Sequence, residues 1–260
     1  MTEEDIRQRL LSAGVENARH EARLLAEALT GDRLAAAVER RCTGYPLQYL
    51  LGEWWFYRES YEVSEDCLIP RADTELLVEK AVKLLPPRAR FLDLCTGSGC
   101  VAVSTLCART DTHATAVELF SKTLELAARN GARNGVADRM EPLLADVLEA
   151  PPEDLPQGGF DAILSNPPYI RTDVMPTLQR EVQYEPVAAL CGGMDGLDFY
   201  RSILDRWGKL LTPTGFLLLE IGYDQGEALC RLGAERGWKT TVFKDLGGND
   251  RVVLLEPNSI

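Results

Sequence analysis

The stretch Phe160-Asp161-Ala162-Ile163-Leu164-Ser165-Asn166-Pro167-Pro168-Tyr169 decides how the rest of this chain is read. It reads as a buried strand that stops abruptly. Two successive prolines remove two backbone donors and fix the local dihedrals, so a strand running into them must end there. The tip then presents an amide side chain, backbone carbonyls and an aromatic ring. Those are hydrogen-bond acceptors beside a flat apolar wall, suited to holding a planar group that bears an NH2. A proline turn closed by a capping asparagine accounts for the same four residues when they are taken alone.

Outward from this strand, strand and helix signals alternate. Strands are expected at Arg90–Leu94, His113–Val117, Glu141–Leu144, Phe160–Ser165, Gly215–Ile221, Trp238–Phe243 and Arg251–Leu255. Helices are expected at Asp73–Leu85, Cys100–Arg109, Leu119–Asn134, Phe199–Leu211 and Gln225–Arg236. Seven strands with intervening helices make an open, doubly wound α/β domain, in which ligands bind beyond the carboxyl ends of the strands. Upstream, Ile6, Leu10, Leu11, Ala22, Leu25, Ala26 and Leu29 recur at helical spacing and are interrupted at Gly14 and Gly31, which predicts two or three short amphipathic helices. Between Pro46 and Val63 the text turns aromatic and alternating, which predicts a β-hairpin linker. Its aromatic residues are expected to pack between domains rather than stack on bases. The division expected is a helical recognition domain over 1–45, a hairpin linker over 46–72 and the α/β domain over 73–260.

With 260 residues, 45% of them hydrophobic, the chain can bury one large core or two modest ones. Its net charge of −12 provides no general basic footprint for a phosphate backbone, so direct nucleic-acid binding is not expected. The first ten residues are too charged for a signal peptide, and no apolar run approaches membrane-spanning length. A cytoplasmic monomer without a membrane partner is expected. Seven cysteines form no Cys-x-x-Cys pair and only His20 and His113 could join them, so no metal site is expected. Their odd number fits free thiols in a reducing compartment.

The first strand of the sheet runs into Asp93-Leu94-Cys95-Thr96-Gly97-Ser98-Gly99, where glycines let the backbone pass close to a ligand and a helix begins with unpaired donors. The third glycine of the dinucleotide pattern is replaced by Ala102. Asp93 is read equally as a cap of this turn and as a ligand-facing acid. Glu118 closes the next strand, where a carboxylate can accept both hydroxyls of a ribose. Asp146 follows the third strand and is placed to accept an adenine amino group, with Val147 covering the ring. Asn166 to Tyr169 arrive beside them, and one crevice collects all four signals.

Taken together, these residues resemble a class I S-adenosylmethionine-dependent amino-methyltransferase, and more closely the release-factor glutamine methyltransferases. The resemblance covers nearly the whole chain. It includes Pro46-Leu-Gln-Tyr-Leu-Leu-Gly52, Leu68-Ile-Pro-Arg-Ala-Asp-Thr-Glu75, Glu185-Pro186, Gly192-Gly-Met-Asp-Gly-Leu-Asp198, Leu219-Glu-Ile-Gly222 and Lys244-Asp-Leu-Gly-Gly-Asn-Asp-Arg-Val-Val253. It implies S-adenosylmethionine as cofactor, held by Cys95, Thr96, Gly97, Ser98, Gly99, Glu118, Val147 and Asn166. It also implies that Asn166, Pro167, Pro168 and Tyr169 hold the glutamine of a peptide release factor's Gly-Gly-Gln loop, with catalysis resting on Asn166, Pro167 and Tyr169. The N-terminal helices and hairpin are implied to recognise the factor. Three departures stand out: Cys95 in place of the usual first glycine, Ala72-Asp73 in place of Pro-Glu, and Val147 where an aromatic residue is frequent. An adenine amino-methyltransferase acting on DNA or RNA can use the same tetrapeptide, and a noncatalytic nucleotide-binding adaptor is the alternative of another class.

Overall fold

In the computed structural model, which describes residues 1–258, the chain starts with helices α1 (Glu3–Ser12), α2 (Ala18–Ala28) and α3 (Gly31–Cys42). Thr2 and Asp5 cap α1 reciprocally, each side chain taking the other's backbone N–H at 3.2 and 2.8 Å. Ile6, Leu10, Ala22, Leu25, Leu34 and Val38 close a small core of their own. Arg41 lies beneath it, 3% exposed, with both oxygens of Glu21 on its guanidinium at 2.5 and 3.0 Å. The same guanidinium reaches Glu181 at 2.7 Å, which ties these helices to the segment that follows Tyr169.

A short helix, α4 (Leu47–Leu51), precedes the expected hairpin, β1 (Glu53–Phe56) and β2 (Glu59–Glu62). Phe56 and Tyr61 pack into the main core, Trp54 packs against the N-terminal cluster, and Trp55 is left exposed to solvent. After α5 (Glu75–Leu84) come β3 (Arg90–Leu94), α6 (Cys100–Ala108), β4 (His113–Glu118), α7 (Ser121–Arg133), β5 (Met140–Leu144) and β6 (Phe160–Ser165). The chain finishes with α8 (Asp198–Ser202), β7 (Leu211–Glu220), α9 (Gly226–Ala234), β8 (Trp238–Lys244) and β9 (Asp250–Pro257). Their seven-stranded sheet has the order β5-β4-β3-β6-β7-β9-β8, with only β9 antiparallel to its neighbours. The order reverses between β3 and β6, so the connections leave in opposite directions and a crevice opens at their carboxyl ends.

Two elements differ from expectation. The single helix expected over Phe199–Leu211 starts as α8, widens into a π-type turn at Ile203–Trp207 and closes with a 3-10 turn at Gly208–Leu210. Along this stretch Ser202 Oγ and the buried Trp207 Nε1 both donate to the Val147 carbonyl, at 2.5 and 3.0 Å. Leu211 then begins β7 rather than ending a helix. Pro213, which lies outside the expected strand, and Gly215, its expected start, fall where the pairing slips between Phe160↔Leu211 and Ala162↔Phe216, an irregularity that tolerates both.

The hairpin is bolted to the sheet domain by Asn130 of α7, which is wholly buried. Its Oδ1 accepts the Glu62 N–H at 2.7 Å, and its Nδ2 donates to the carbonyls of Glu62 and Ser98 at 3.0 and 2.9 Å. Tyr61 adds a 2.6 Å bond to Ser104 Oγ. An unmade buried hydrogen bond costs about 1–3 kcal/mol, so Asn130→Ala, which orphans three backbone groups, is expected to destabilise the protein by about 3 kcal/mol or more. Denaturant unfolding checks this, and a change under 1 kcal/mol contradicts the assignment.

Candidate active site where two clefts meet

Leu94 and Ser165 are paired at the ends of β3 and β6, and Ser165 Oγ donates to the Leu94 carbonyl at 2.6 Å. Beyond this closure the chain turns sharply. Cys95 takes a left-handed conformation with φ of 58°, followed by Gly97 at 55° and Gly99 at 81°. For a residue with a Cβ that conformation costs about 1–2 kcal/mol, so the cost of having cysteine here is backbone strain. Asp93 holds the turn: its Oδ2 accepts Thr96 Oγ1 at 2.6 Å and the Ala102 N–H at 3.0 Å. The geometry gives it the brace and also places it in the lining of the cleft described below. Asp93 is 1% exposed, and burial pushes its carboxyl up to about 7 against the two hydrogen bonds that favour the charged form.

Glu118, at the end of β4, accepts the N–H groups of Gly97, Leu119 and Phe120 at 3.0, 2.9 and 3.2 Å. Burial raises its carboxyl and these three bonds pull it back down. The carboxylate thus fixes the glycine turn while facing the same cleft. Asp146 uses Oδ1 on the Leu148 N–H at 2.8 Å, and Oδ2 is left without a hydrogen-bond partner among the described residues.

A cleft of about 900 Å³, counted to its open mouth, is lined by Cys95, Thr96, Gly97, Ser98, Glu118, Asp146, Val147 and Asn166. Eight of the expected cofactor residues therefore meet. Gly99 does not line the cleft: a Cβ there would come within 3.2 Å of Ala127 Cβ, so this glycine serves the packing of α6 on α7. Thr74, Arg71, Leu119 and Phe120 line the cleft without having been anticipated. Leu119 and Phe120, half exposed directly after an acidic strand end, were the recoverable signal.

A second cleft holds Pro167, Tyr169, Ile170, Leu178, Val182 and Leu190. Asn166, Leu68, Arg71 and Ala189 line both clefts. Asn166 is the polar tip of their shared wall. Its Nδ2 donates to Thr74 Oγ1 at 3.0 Å, which turns the amide oxygen away from Thr74. The turn is held from behind by Gln225, whose Nε2 donates to the Tyr169 carbonyl at 3.0 Å and to Gly196 O at 3.2 Å. The segment after Tyr169 returns on itself, with Ile170 N–H on Leu190 O at 2.9 Å and Gly192 N–H on Ile170 O at 2.8 Å. Glu185, in that segment, is buried and accepts the Ile69 N–H at 3.1 Å together with Arg71.

A doubly wound sheet with a braced glycine turn, an acid at the next strand end and an Asn-Pro-Pro-Tyr tip at the switch point defines a methyltransferase. The family model described as "Methyltransferase small domain" matches residues 71–182. The release factor glutamine methyltransferase of Cereibacter sphaeroides is 41% identical over 94% of this chain and 93% of its own length. The one from Agrobacterium fabrum is 37% identical over 95% and 93%. The chain belongs to the release factor glutamine methyltransferase family. A crystal structure of a methyltransferase from Pyrococcus furiosus superposes with a TM-score of 0.57 at 19% identity, covering 75% of this chain and 87% of that one, a likeness of fold.

The buried acids leave a mark on stability. A carboxyl whose folded-state value is raised favours folding while it is protonated, and that contribution is lost as pH rises through the folded value. With Asp93 and Glu220 both lifted to about 7 from ordinary values near 4, the melting temperature is expected to fall as pH rises from about 4 to about 7 and to level off above that. An amide oxygen can take the place of Asp93 Oδ2 and keep both of its hydrogen bonds, so Asp93→Asn is expected to flatten that slope and raise stability at pH 8. Thermal unfolding of both proteins across this range checks it, and parallel curves contradict it.

Proposed function

We propose that this chain transfers a methyl group from S-adenosylmethionine to the side-chain amide nitrogen of the glutamine in the Gly-Gly-Gln motif of peptide chain release factors. One observation carries this assignment: Asn166 stands in the wall between two clefts with its NH2 committed to Thr74 and its oxygen available. An acceptor at that place suits an incoming NH2.

The first of the two clefts fits the cofactor. Its size lies within the range of small-ligand sites. The Glu118 carboxylate suits ribose hydroxyls, Asp146 Oδ2 suits an amino group, and Val147, Leu119 and Phe120 supply apolar walls. Thr96, Gly97, Ser98 and the strained Cys95 bring backbone close to the remainder. S-adenosylmethionine, when bound, supplies an electrophilic methyl group on a sulfonium centre.

A carboxamide nitrogen is a poor nucleophile because its lone pair is delocalised into the carbonyl. Positive charge develops on it during transfer, and its hydrogens become more acidic. Acceptors already aimed at the NH2, the Asn166 oxygen and the Pro167 carbonyl, therefore gain strength in the transition state over the ground state. Tyr169 lines the acceptor cleft as a flat wall that keeps water from the amide. Fixing the nitrogen in line adds a proximity gain. The chemistry asks for position and field rather than for a nucleophilic side chain.

We assign recognition of the factor to residues 1–45 and the hairpin linker over 46–72, and methyl transfer to residues 73–260. The Arg41–Glu181 bond supports a link between the two, since it joins α3 to the segment that walls the acceptor cleft. Seven free thiols suit the reducing cytoplasm.

Incubation with labelled S-adenosylmethionine and a purified release factor is expected to place the label on the Gly-Gly-Gln peptide, located by mass spectrometry. Label on nucleic acid, or at another site in the factor, overturns the assignment. Asn166→Ala removes one preorganised partner, typically worth about 3 kcal/mol of barrier, so transfer is expected to fall at least about a hundredfold. Cofactor affinity measured by calorimetry is expected to fall by less than about tenfold, because Asn166 is one of many cofactor contacts.

A further inference from the structure

Glu220 ends β7 and is 1% exposed. Its Oε2 has no hydrogen-bond partner among the described residues. A buried carboxylate with an unpaired oxygen is costly, and the transfer chemistry derived above gives it no task. Its position is informative. Ser165 pairs with Leu219 across β6 and β7, so Asn166 and Glu220 are the next residues along two adjacent parallel strands.

The groups around Glu220 come from every neighbouring element: Asp73 and Thr74 before α5, Cys100 of α6, Tyr169 after β6, Tyr200 of α8 and Arg251 of β9. Burial is the largest influence and disfavours its charge, and Asp73 adds to this. The Thr74 hydroxyl, then Arg251, then the Tyr169 hydroxyl favour it. Arg251 is itself divided between Asp73 at 3.2 Å and Asp245 at 3.1 Å. Neither carboxyl oxygen of Glu220 receives a hydrogen bond among the described residues, so the nearby Thr74 and Tyr169 hydroxyls favour its charge without being bonded to it, and Thr74 is the partner of Asn166.

We propose that Glu220 is a positioning residue that sets the polarity of the Asn166 amide through the hydroxyl of Thr74. The inference deepens the functional assignment above and rests on it for the identity of the acceptor. A hydroxyl has one proton. Asn166 Nδ2 donates to Thr74 Oγ1 at 3.0 Å, so Thr74 must send its own proton elsewhere. An ionised carboxylate can only accept, so it draws that proton towards itself and leaves the Thr74 oxygen for the asparagine NH2. The asparagine oxygen then faces the acceptor cleft, where an incoming NH2 needs it. If the group behind Thr74 can also donate, as a protonated acid or an amide can, the hydroxyl is free to reverse. The asparagine then presents NH2 to NH2, and transfer fails.

The discriminating variant is Glu220→Gln, which keeps the volume and removes the obligate acceptor. Expected are a fall in kcat of about thirtyfold, cofactor affinity within twofold of the parent, and a melting temperature at pH 8 equal or higher, since a buried charge is gone. Thr74→Val is expected to match that loss, Thr74→Ser to recover at least a third of parental kcat, and the double variant to lose no more than Thr74→Val alone. Burial lifts Glu220 to about 7, so parental kcat falls as pH drops through that value, and the Glu220→Gln profile lacks this limb. Asp93 titrates in the same range, so the difference between the two profiles is the readout.

A second measurement needs no acceptor. The Asn166 side-chain amide signals in a nitrogen-15 spectrum, assigned by their loss in Asn166→Ala, are expected to move between pH 6 and pH 8 in the parent and to stay still in Glu220→Gln. Parental kcat in Glu220→Gln, additive losses in the double variant, or unmoving Asn166 signals in the parent overturn the proposal. Signals that titrate as expected in a protein that transfers no methyl to a release factor sink the functional assignment and leave the polarity relay standing.

Discussion

Everything in the site depends on the seam between β3 and β6. These two parallel strands are buried and paired from Phe91↔Ala162 to Leu94↔Ser165, and their chains leave it in opposite directions. The split exposes unpaired backbone at one edge of an otherwise satisfied sheet, and unpaired backbone in a sheltered place must be answered. It is answered on one side by the turn at Cys95 to Gly99 and on the other by the two prolines, one lining each cleft. Ser165 holds the last point of closure through the Leu94 carbonyl. Ligand space arises here because topology prevents the sheet from closing over itself.

The chain surrounds this opening with carboxylates and then neutralises their cost by geometry. Asp93 is satisfied by a threonine and a helix amide, and Glu118 by three backbone amides of the turn it anchors. Both are braces first, and both line the cleft. Glu220 differs, because one of its oxygens goes without a partner.

Legibility in the sequence followed contiguity along the chain. The apolar runs of β3, β4, β6 and β9 stand out because strands buried on both faces carry no alternation to confuse them. The residues that meet in the first cleft were readable because they sit at strand ends, within a few residues of a run that announces them. The start of β7 was hidden, since Leu211-Thr-Pro-Thr-Gly215 has the composition of a turn and is strand only because Phe160 pairs with Leu211 across a slip. The helix before it was legible as a helix but its π-type widening was not, because the widening serves the Val147 carbonyl some sixty residues away. Thr74, Asn130 and Glu220 escaped notice for the same reason. Each is an ordinary residue in its own segment, and acquires meaning only from a partner brought by the fold.

Asn130 carries a consequence for modularity. One side chain holds the backbone of the hairpin at Glu62 and the backbone of the glycine turn at Ser98. Thr123 adds a 2.7 Å bond to the Asp66 carbonyl, and Asn134 a 3.1 Å bond to Ser60 O. The linker is thus stitched along the length of α7 and shares a rivet with the glycine turn of the sheet domain. Excising that half at residue 73 would cut the sequence at a natural-looking boundary yet leave buried amides and carbonyls of the cofactor turn facing nothing. The protein is divisible in its text and indivisible in its mechanics.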